Sequence, residues 1–274
     1  MLEKKSKSIF IISCLISILI IISALAGIYG NETYIRETPD LKAQSIAQDK
    51  FDLYIIVPLL IFSGILTYFK KPNWLFIFGS CVLILIYNFT IYCFAVHFNS
   101  LFLIYCAILG LSFYSFIYVF YKSWSHYKNH LQDLHLPVKS LRAFLIILTC
   151  VFSFLWLRED ITSTLLSVPS VTLTEAGLFT NPVHVLDLAI FLPGFCIVAY
   201  LLKKDNSLGK LLIPYILGFC FLMFMNIAAL LVLMNTNKTG GLPPVSIFMI
   251  LLSLITIFLL TVTFRRFNTI QSAD

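Results

Sequence analysis

Apolar residues fill this chain in eight blocks of about 20, each ended by charge, Pro, Gly or Asn. A helix needs about 20 such residues to cross ~30 Å of hydrocarbon. The pattern therefore predicts spans over 9–29, 52–70, 74–97, 100–121, 141–158, 182–202, 210–234 and 244–264. Runs such as Ile9-Phe10-Ile11-Ile12 and Val82-Leu83-Ile84-Leu85-Ile86 are apolar on every side. A membrane barrel strand would alternate between two faces, whereas a helix satisfies its own backbone groups in lipid. The expected fold class is all-α: a polytopic membrane protein of eight transmembrane helices.

Composition points the same way. Of 274 residues, 59% are hydrophobic and 12% charged, about half the charge of an ordinary soluble domain. A disordered chain would combine low hydrophobicity with high charge, and mean hydropathy here is +0.94. The three longest connections are about 20 residues each, which leaves no room for a separate soluble domain.

Charge then sets an expected orientation. With the N-terminus inside, fourteen of the 19 Lys and Arg fall on the cytoplasmic side, among them Lys4, Lys5, Lys70, Lys71, Lys203, Lys204, Arg265 and Arg266. Arg36, Lys42, Lys50, Arg158 and Lys238 fall outside. Cytoplasmic loops carry the Lys/Arg excess, so both termini are expected in the cytoplasm, in a plasma or bacterial inner membrane. The partner is then the lipid bilayer, and the basic total reflects orientation instead of nucleic-acid binding. Trp74, Trp124 and Trp156 fall at span ends, where indole rings sit at headgroup level. The first span has a rival reading, since Lys4-Lys5, an apolar run and Ala24-Leu25-Ala26 resemble a signal peptide.

A self-comparison finds Asp52-Leu53-Tyr54-Ile55-Ile56-Val57-Pro58 matching Asp187-Leu188-Ala189-Ile190-Phe191-Leu192-Pro193, with four of seven positions identical. Lys70-Lys71 then matches Lys203-Lys204, and Asn88 matches Asn226. These matches predict two four-helix repeats, over 1–121 and 141–274, joined by a cytoplasmic connector over 122–140. Cleavage of the first span would leave the halves unequal. Because four crossings return the chain to its starting side, the repeats should be parallel, related by an axis along the membrane normal. The connector is expected to hold a short interfacial helix before Pro137.

Ionisable groups inside a span are functional candidates by default, and Asp52 and Asp187 are the two carboxylates that qualify. Both are expected at the outer ends of their spans, with Asp49 and Lys50 keeping Asp52 wet. Asn181 and Pro182 read as N-cap and first residue of the sixth span, and His184 shares a helix face with Asp187. Pro58 and Pro193 should free the carbonyls of Tyr54 and Ala189, where a cation could bind. Against a functional role, a carboxylate is also stabilised at a helix start by the macrodipole. Asn88 and Asn226 are candidates as ligands or as interhelical glue. His97 is a candidate ligand or an interfacial residue, with Cys93 one turn away.

Other chemistry is not encoded. No H-E-x-x-H or C-x-x-C spacing marks a metal, the seven cysteines all lie within spans, and phosphate loops, nucleophile elbows and dinucleotide glycines are absent. No metal or cofactor is expected. Asn31-Glu32-Thr33 and Asn237-Lys238-Thr239 fit glycosylation sequons. Ser23 with Gly27, and Ala107, Gly110 and Ser115, read as packing contacts.

Three functions fit. The first is transport or binding of a small solute or cation at the outer-side carboxylates. The second is an accessory or assembly subunit that packs against a membrane-protein partner. The third is a membrane-embedded enzyme in which Asp187 or His184 acts as acid or base on a lipid-linked substrate.

Overall fold

The computed structural model describes residues 7–69, 71–235 and 242–271. The elements are α1 Lys7–Tyr29, α2 Pro39–Tyr68, α3 Trp74–Ala95, α4 Phe102–Tyr127, α5 Val138–Leu166, the short α6 Val171–Ala176, α7 Pro182–Lys203, α8 Ser207–Met234 and α9 Pro244–Gln271. Among the described residues there are no strands, and eight helices are long and apolar enough to cross a membrane. The chain is therefore built as a multi-pass, integral membrane protein. Lys70 and the second sequon lie outside the described residues, as do the first six and last three positions.

α3 and α8 form the centre. They pack on each other, and α8 also touches α2, α4, α7 and α9. In lipid, association relies on close packing and interhelical hydrogen bonds, and small residues supply the closeness here. A Cβ at Gly79 would fall inside the Tyr215 ring, and one at Gly218 would strike Ser80. The Ser80 hydroxyl bonds across the same seam to the Tyr215 carbonyl at 3.2 Å. Ser23 and Gly27 are buried as expected, and so is Ser115. Ala107 is exposed, and Gly110 has open space where a side chain would go. The α4 face carrying those two residues is turned outward.

The connections cluster at two ends. At one end, the Glu37 carboxylate accepts from the His97 backbone N–H at 2.8 Å and pairs with its ring Nδ1 at 2.9 Å. Asn99 Nδ2 donates to the Thr33 carbonyl at 3.4 Å. At the other end, Tyr127 donates to Asn73 at 2.8 Å. The buried Lys210 ammonium there meets Asp205 at 2.9 Å and the Gln132 carbonyl at 3.3 Å. This tie draws the connector onto the start of α8. The connector itself is shorter than expected, because α4 runs on to Tyr127 and α5 begins at Val138. Residues 128–137 form turns and bends, not a helix before Pro137; their side chains Leu131 and Leu134 are buried in the core and pin the segment as a loop.

The second span is where pattern and structure part. Residues 39–51, polar in sequence, are helical and continuous with the apolar stretch that follows. Asp52 thus lies well inside a 30-residue helix, about 20 Å from its Pro39 end at ~1.5 Å per residue. It is not at the outer end and not wet: it is 1% exposed. Burying the polar face of 39–51 against α8 and α1 makes the difference.

Candidate functional site

Each carboxylate opens a widened turn. Over Asp52–Ile56 and Asp187–Phe191 the helix takes one π-type turn, with Val57 N–H bonding to the Asp52 carbonyl and Leu192 N–H to that of Asp187. A proline follows each turn after one residue, at Pro58 and Pro193. Proline lacks an N–H and clashes with the carbonyl four residues back. The wide turn is the local answer, re-satisfying the backbone by bonds five residues long. Such turns are frequent at functional sites.

Asp52 sits in a buried amide network. Gln48 Nε2 and Asn88 Nδ2 both donate to its Oδ1, at 3.0 and 3.3 Å. Asn226 Nδ2, from α8, donates to Gln48 Oε1 at 2.8 Å. Helices α2, α3 and α8 therefore meet at the Gln48–Asp52 pair, α8 through Gln48 and α3 through Asp52. One turn earlier, Asp49 takes a phenol on each oxygen: Tyr34 at 2.7 Å and Tyr92 at 2.8 Å. Tyr34 lies in the 30–38 connection, where burial and then the neighbouring Asp49 push its phenol well above the usual tyrosine range. It is a permanent donor. Gly27 makes this possible, since a Cβ there would occupy the place of the Asp49 carboxylate.

Asp187 sits in a different setting. As the sequence predicts, Asn181 caps the helix, its side chain accepting from the N–H groups of Val183 and His184. Trp156 Nε1 donates to Asp187 Oδ2 at 2.8 Å. Trp156 is therefore part of the site, ten residues inside α5, and not a ring at the span end; the helix extends to Leu166. His184 does not bond to Asp187. Its Nδ1 meets Asp160 of α5 at 2.8 Å, and its ring lies over Trp156 with centroids 4.4 Å apart. His184 and Asp187 are linked through the indole, which packs on the imidazole and donates to the carboxylate.

Asp187 lines one of two adjoining cavities, and Asp52 lies behind the other, whose wall includes its partners Gln48 and Asn88. One, of about 560 Å³, is lined by Asp187, Trp156, Tyr87, Phe191, Phe219 and Phe224, among others. The second, of about 160 Å³, is lined by Gln48, Asn88, Asn226, Tyr92 and Ser45. Gln44, Tyr87, Val183, Met223, Ile227 and Leu230 face both. On α3, consecutive residues divide the work: Tyr87 interacts with Asp187 and Asn88 bonds to Asp52. A cleft of about 730 Å³ shares Phe152, Trp156 and Thr172 with the larger cavity.

Of the sequence-predicted residues, Asn88, Asn226 and Asp187 line this pair of cavities, Asp52 is tied to it through Gln48 and Asn88, and His184 touches it through Trp156. His97 is not; it is half-exposed and held by Glu37. Cys93 meets Cys106 of α4. Gln48, Asp49, Tyr34, Tyr92, Tyr87 and Trp156 were not singled out as ligands by the sequence. Their signal was weak because tyrosine and tryptophan are also ordinary interface residues in membrane helices. Among the described residues, no group of three or more His, Cys, Asp and Glu could hold a metal ion. No protein-family model matches the chain, and no curated protein or solved structure proves similar to it.

Proposed function

We propose that the protein binds and transports a small, largely apolar solute carrying one hydrogen-bond donor, an amine above all. The observation that carries this is the 560 Å³ cavity with aromatic walls and the Asp187 carboxylate; the other carboxylate in its lining, Asp40, already accepts from Gln44 Nε2 at 2.6 Å. Ligand sites combine apolar walls with a few placed polar groups. Aromatic faces also attract a cation, and Asp187 supplies the counter-charge.

Two parallel four-helix units are part of the same reading. α1 packs on α2 as α5 does on α7; α2 on α3 as α7 on α8; and α3 on α4 as α8 on α9. Each third helix also touches the other half's widened helix, α8 on α2 and α3 on α7. The matching turns at Asp52 and Asp187 support the duplication, and duplicated bundles recur among transporters. The Lys/Arg excess at 70–71 and over 122–142, where Lys122, Lys128, Lys139 and Arg142 stand against Asp133 alone, supports cytoplasmic termini.

The test uses phenethylamine as probe and the full chain with Trp74→Phe and Trp124→Phe, so that fluorescence reports Trp156 alone. Saturable quenching, lost in Asp187→Asn, is expected, together with loss of phenethylamine uptake into reconstituted vesicles. The reading falls if a panel of small amines, alcohols and acids gives no saturable response and no uptake that depends on Asp187.

A further inference from the structure

Asp52 is bonded in a lopsided way. Both amide donors, from Gln48 and Asn88, go to Oδ1, while Oδ2 has no partner among the described residues. An ionised carboxylate has two equivalent oxygens and about four acceptor sites, and a protonated one has a carbonyl that accepts and a hydroxyl that donates. Asp52 shows the second arrangement: a doubly served Oδ1, and an Oδ2 that no donor approaches.

A second atom fits the first. Asn226 Oδ1 is also buried and without a donor among the described residues, although its Nδ2 is engaged by Gln48. Asn226 lines the 160 Å³ cavity, as do Gln48 and Asn88, the two partners of Asp52. That volume has room for bridging water between polar walls. One hydrogen on Asp52 Oδ2, relayed to Asn226 Oδ1, would satisfy both orphaned oxygens at once.

Among the described residues no cation is paired with the charge: Lys50, on the same helix, makes no ion pair with Asp49 or Asp52. On α2, the other neighbouring ionisable group is Asp49, already taking two phenols. α3 presents Tyr87 and Tyr92, and α8 presents Asn226 and the buried Cys220. α1, packed against the widened turn, carries between residues 9 and 27 only Cys14 as a titratable group. α7 contributes Asp187, on the far side of the Tyr87–Asn88 step. No Lys, Arg or His among the described residues pairs with Asp49 or Asp52. Two buried carboxylates one turn apart without a counter-ion are very unfavourable when both are charged, and Asp49 has the donors that stabilise an anion.

We propose that Asp52 is a proton-binding site, holding the proton on Oδ2 with Asn226 as its acceptor, beside the solute cavity. Its use as the coupling proton of transport rests on the solute reading above; the proton site itself does not. When Asp52 releases the proton, the O–H bond breaks, the carboxylate keeps the electron pair, and the proton passes to water on the Asn226 side, in the 160 Å³ cavity that Gln48, Asn88 and Asn226 line. Tyr87 and Asn88, adjacent on α3, are the direct physical link by which occupancy at Asp187 bears on that release.

Infrared difference spectra of the full chain in lipid bilayers, recorded while pH is stepped, test this. The expected result is a carbonyl band of a protonated carboxylic acid at neutral pH that is absent in Asp52→Asn and kept in Asp187→Asn. Asn226→Leu, which leaves the acid in place but removes its acceptor, should shift the band upward, as for an acid hydroxyl that has lost its hydrogen bond. That variant carries the test if Asp52→Asn does not fold. No band at any pH, a band indifferent to both Asp52→Asn and Asn226→Leu, or a band abolished by added Na⁺ would overturn the proposal. Any of those results leaves the phenethylamine test at Asp187 untouched, and a failed phenethylamine test leaves the band as it is.

Discussion

The contact of α1 with the Asp49 carboxylate offers a sharp perturbation, Gly27→Ala. The added methyl would overlap Asp49 Oδ2 and come within 2.8 Å of the Tyr34 hydroxyl. Overpacking a tight site costs about 1–3 kcal/mol, and a lost hydrogen bond to a charged group about 1.5–3 kcal/mol. The carboxylate cannot yield without leaving Tyr34 or Tyr92, so both effects apply and the expected loss is about 2.5–6 kcal/mol. Gly110→Ala is the matched control: nothing lies within 4 Å of its added methyl, and alanine in a helix gains about 0.5–1 kcal/mol over glycine. Unfolding in mixed micelles with rising SDS, followed by circular dichroism, measures both. The double variant Gly27→Ala/Tyr34→Phe should lose less than the sum of its singles, because each single removes the same bond. Equal stability of the Gly27 and Gly110 variants, or strict additivity with Tyr34→Phe, would refute the reasoning.

Two further expectations follow from the geometry. Trp156→Phe keeps a ring over His184 but removes the donor to Asp187, and should weaken phenethylamine binding by roughly tenfold, as loss of about 1.4 kcal/mol would; an unchanged titration, read by isothermal calorimetry, counts against the bond. Asp205→Asn strands the buried Lys210 ammonium, whereas Lys210→Met leaves only an exposed carboxylate at Asp205. The first should lose more stability in the SDS assay, about 1.5–3 kcal/mol, and the reverse order would show that the pair does not work as described.

Much of the architecture was legible because lipid leaves the chain little choice. Eight apolar blocks must become eight helices, since no other element without an edge suits such runs. The start of α7 was equally legible: Asn181 and Pro182 act on their own neighbours within one turn. Local signals survive folding because they need no distant partner. The polar stretch 39–51 is the opposite case. It lacks the composition of a span, and its helix becomes tenable where Tyr34, Tyr92 and Asn226 arrive to satisfy Asp49 and Gln48. Those partners are separated from it by 15 to 178 positions, and no periodicity along the chain announces them.

The sequence by itself decided that this protein is built of membrane-length helices and that Asp52 and Asp187 lie within them, because hydrophobic length and the rarity of charge are properties of the chain; it did not show that Asp49 is buried beside Asp52. Tertiary structure decided what those carboxylates face. The crossing of α3 and α8 sets Tyr87 toward Asp187 and Asn88 toward Asp52, gives Asp52 two donors on one oxygen and none on the other, and moves Trp156 from an expected belt position to the wall of a cavity. Which donors meet which acceptors depends on where helices cross, and that is fixed by small residues such as Gly27, Gly79 and Gly218, whose effect is spatial and leaves no local trace.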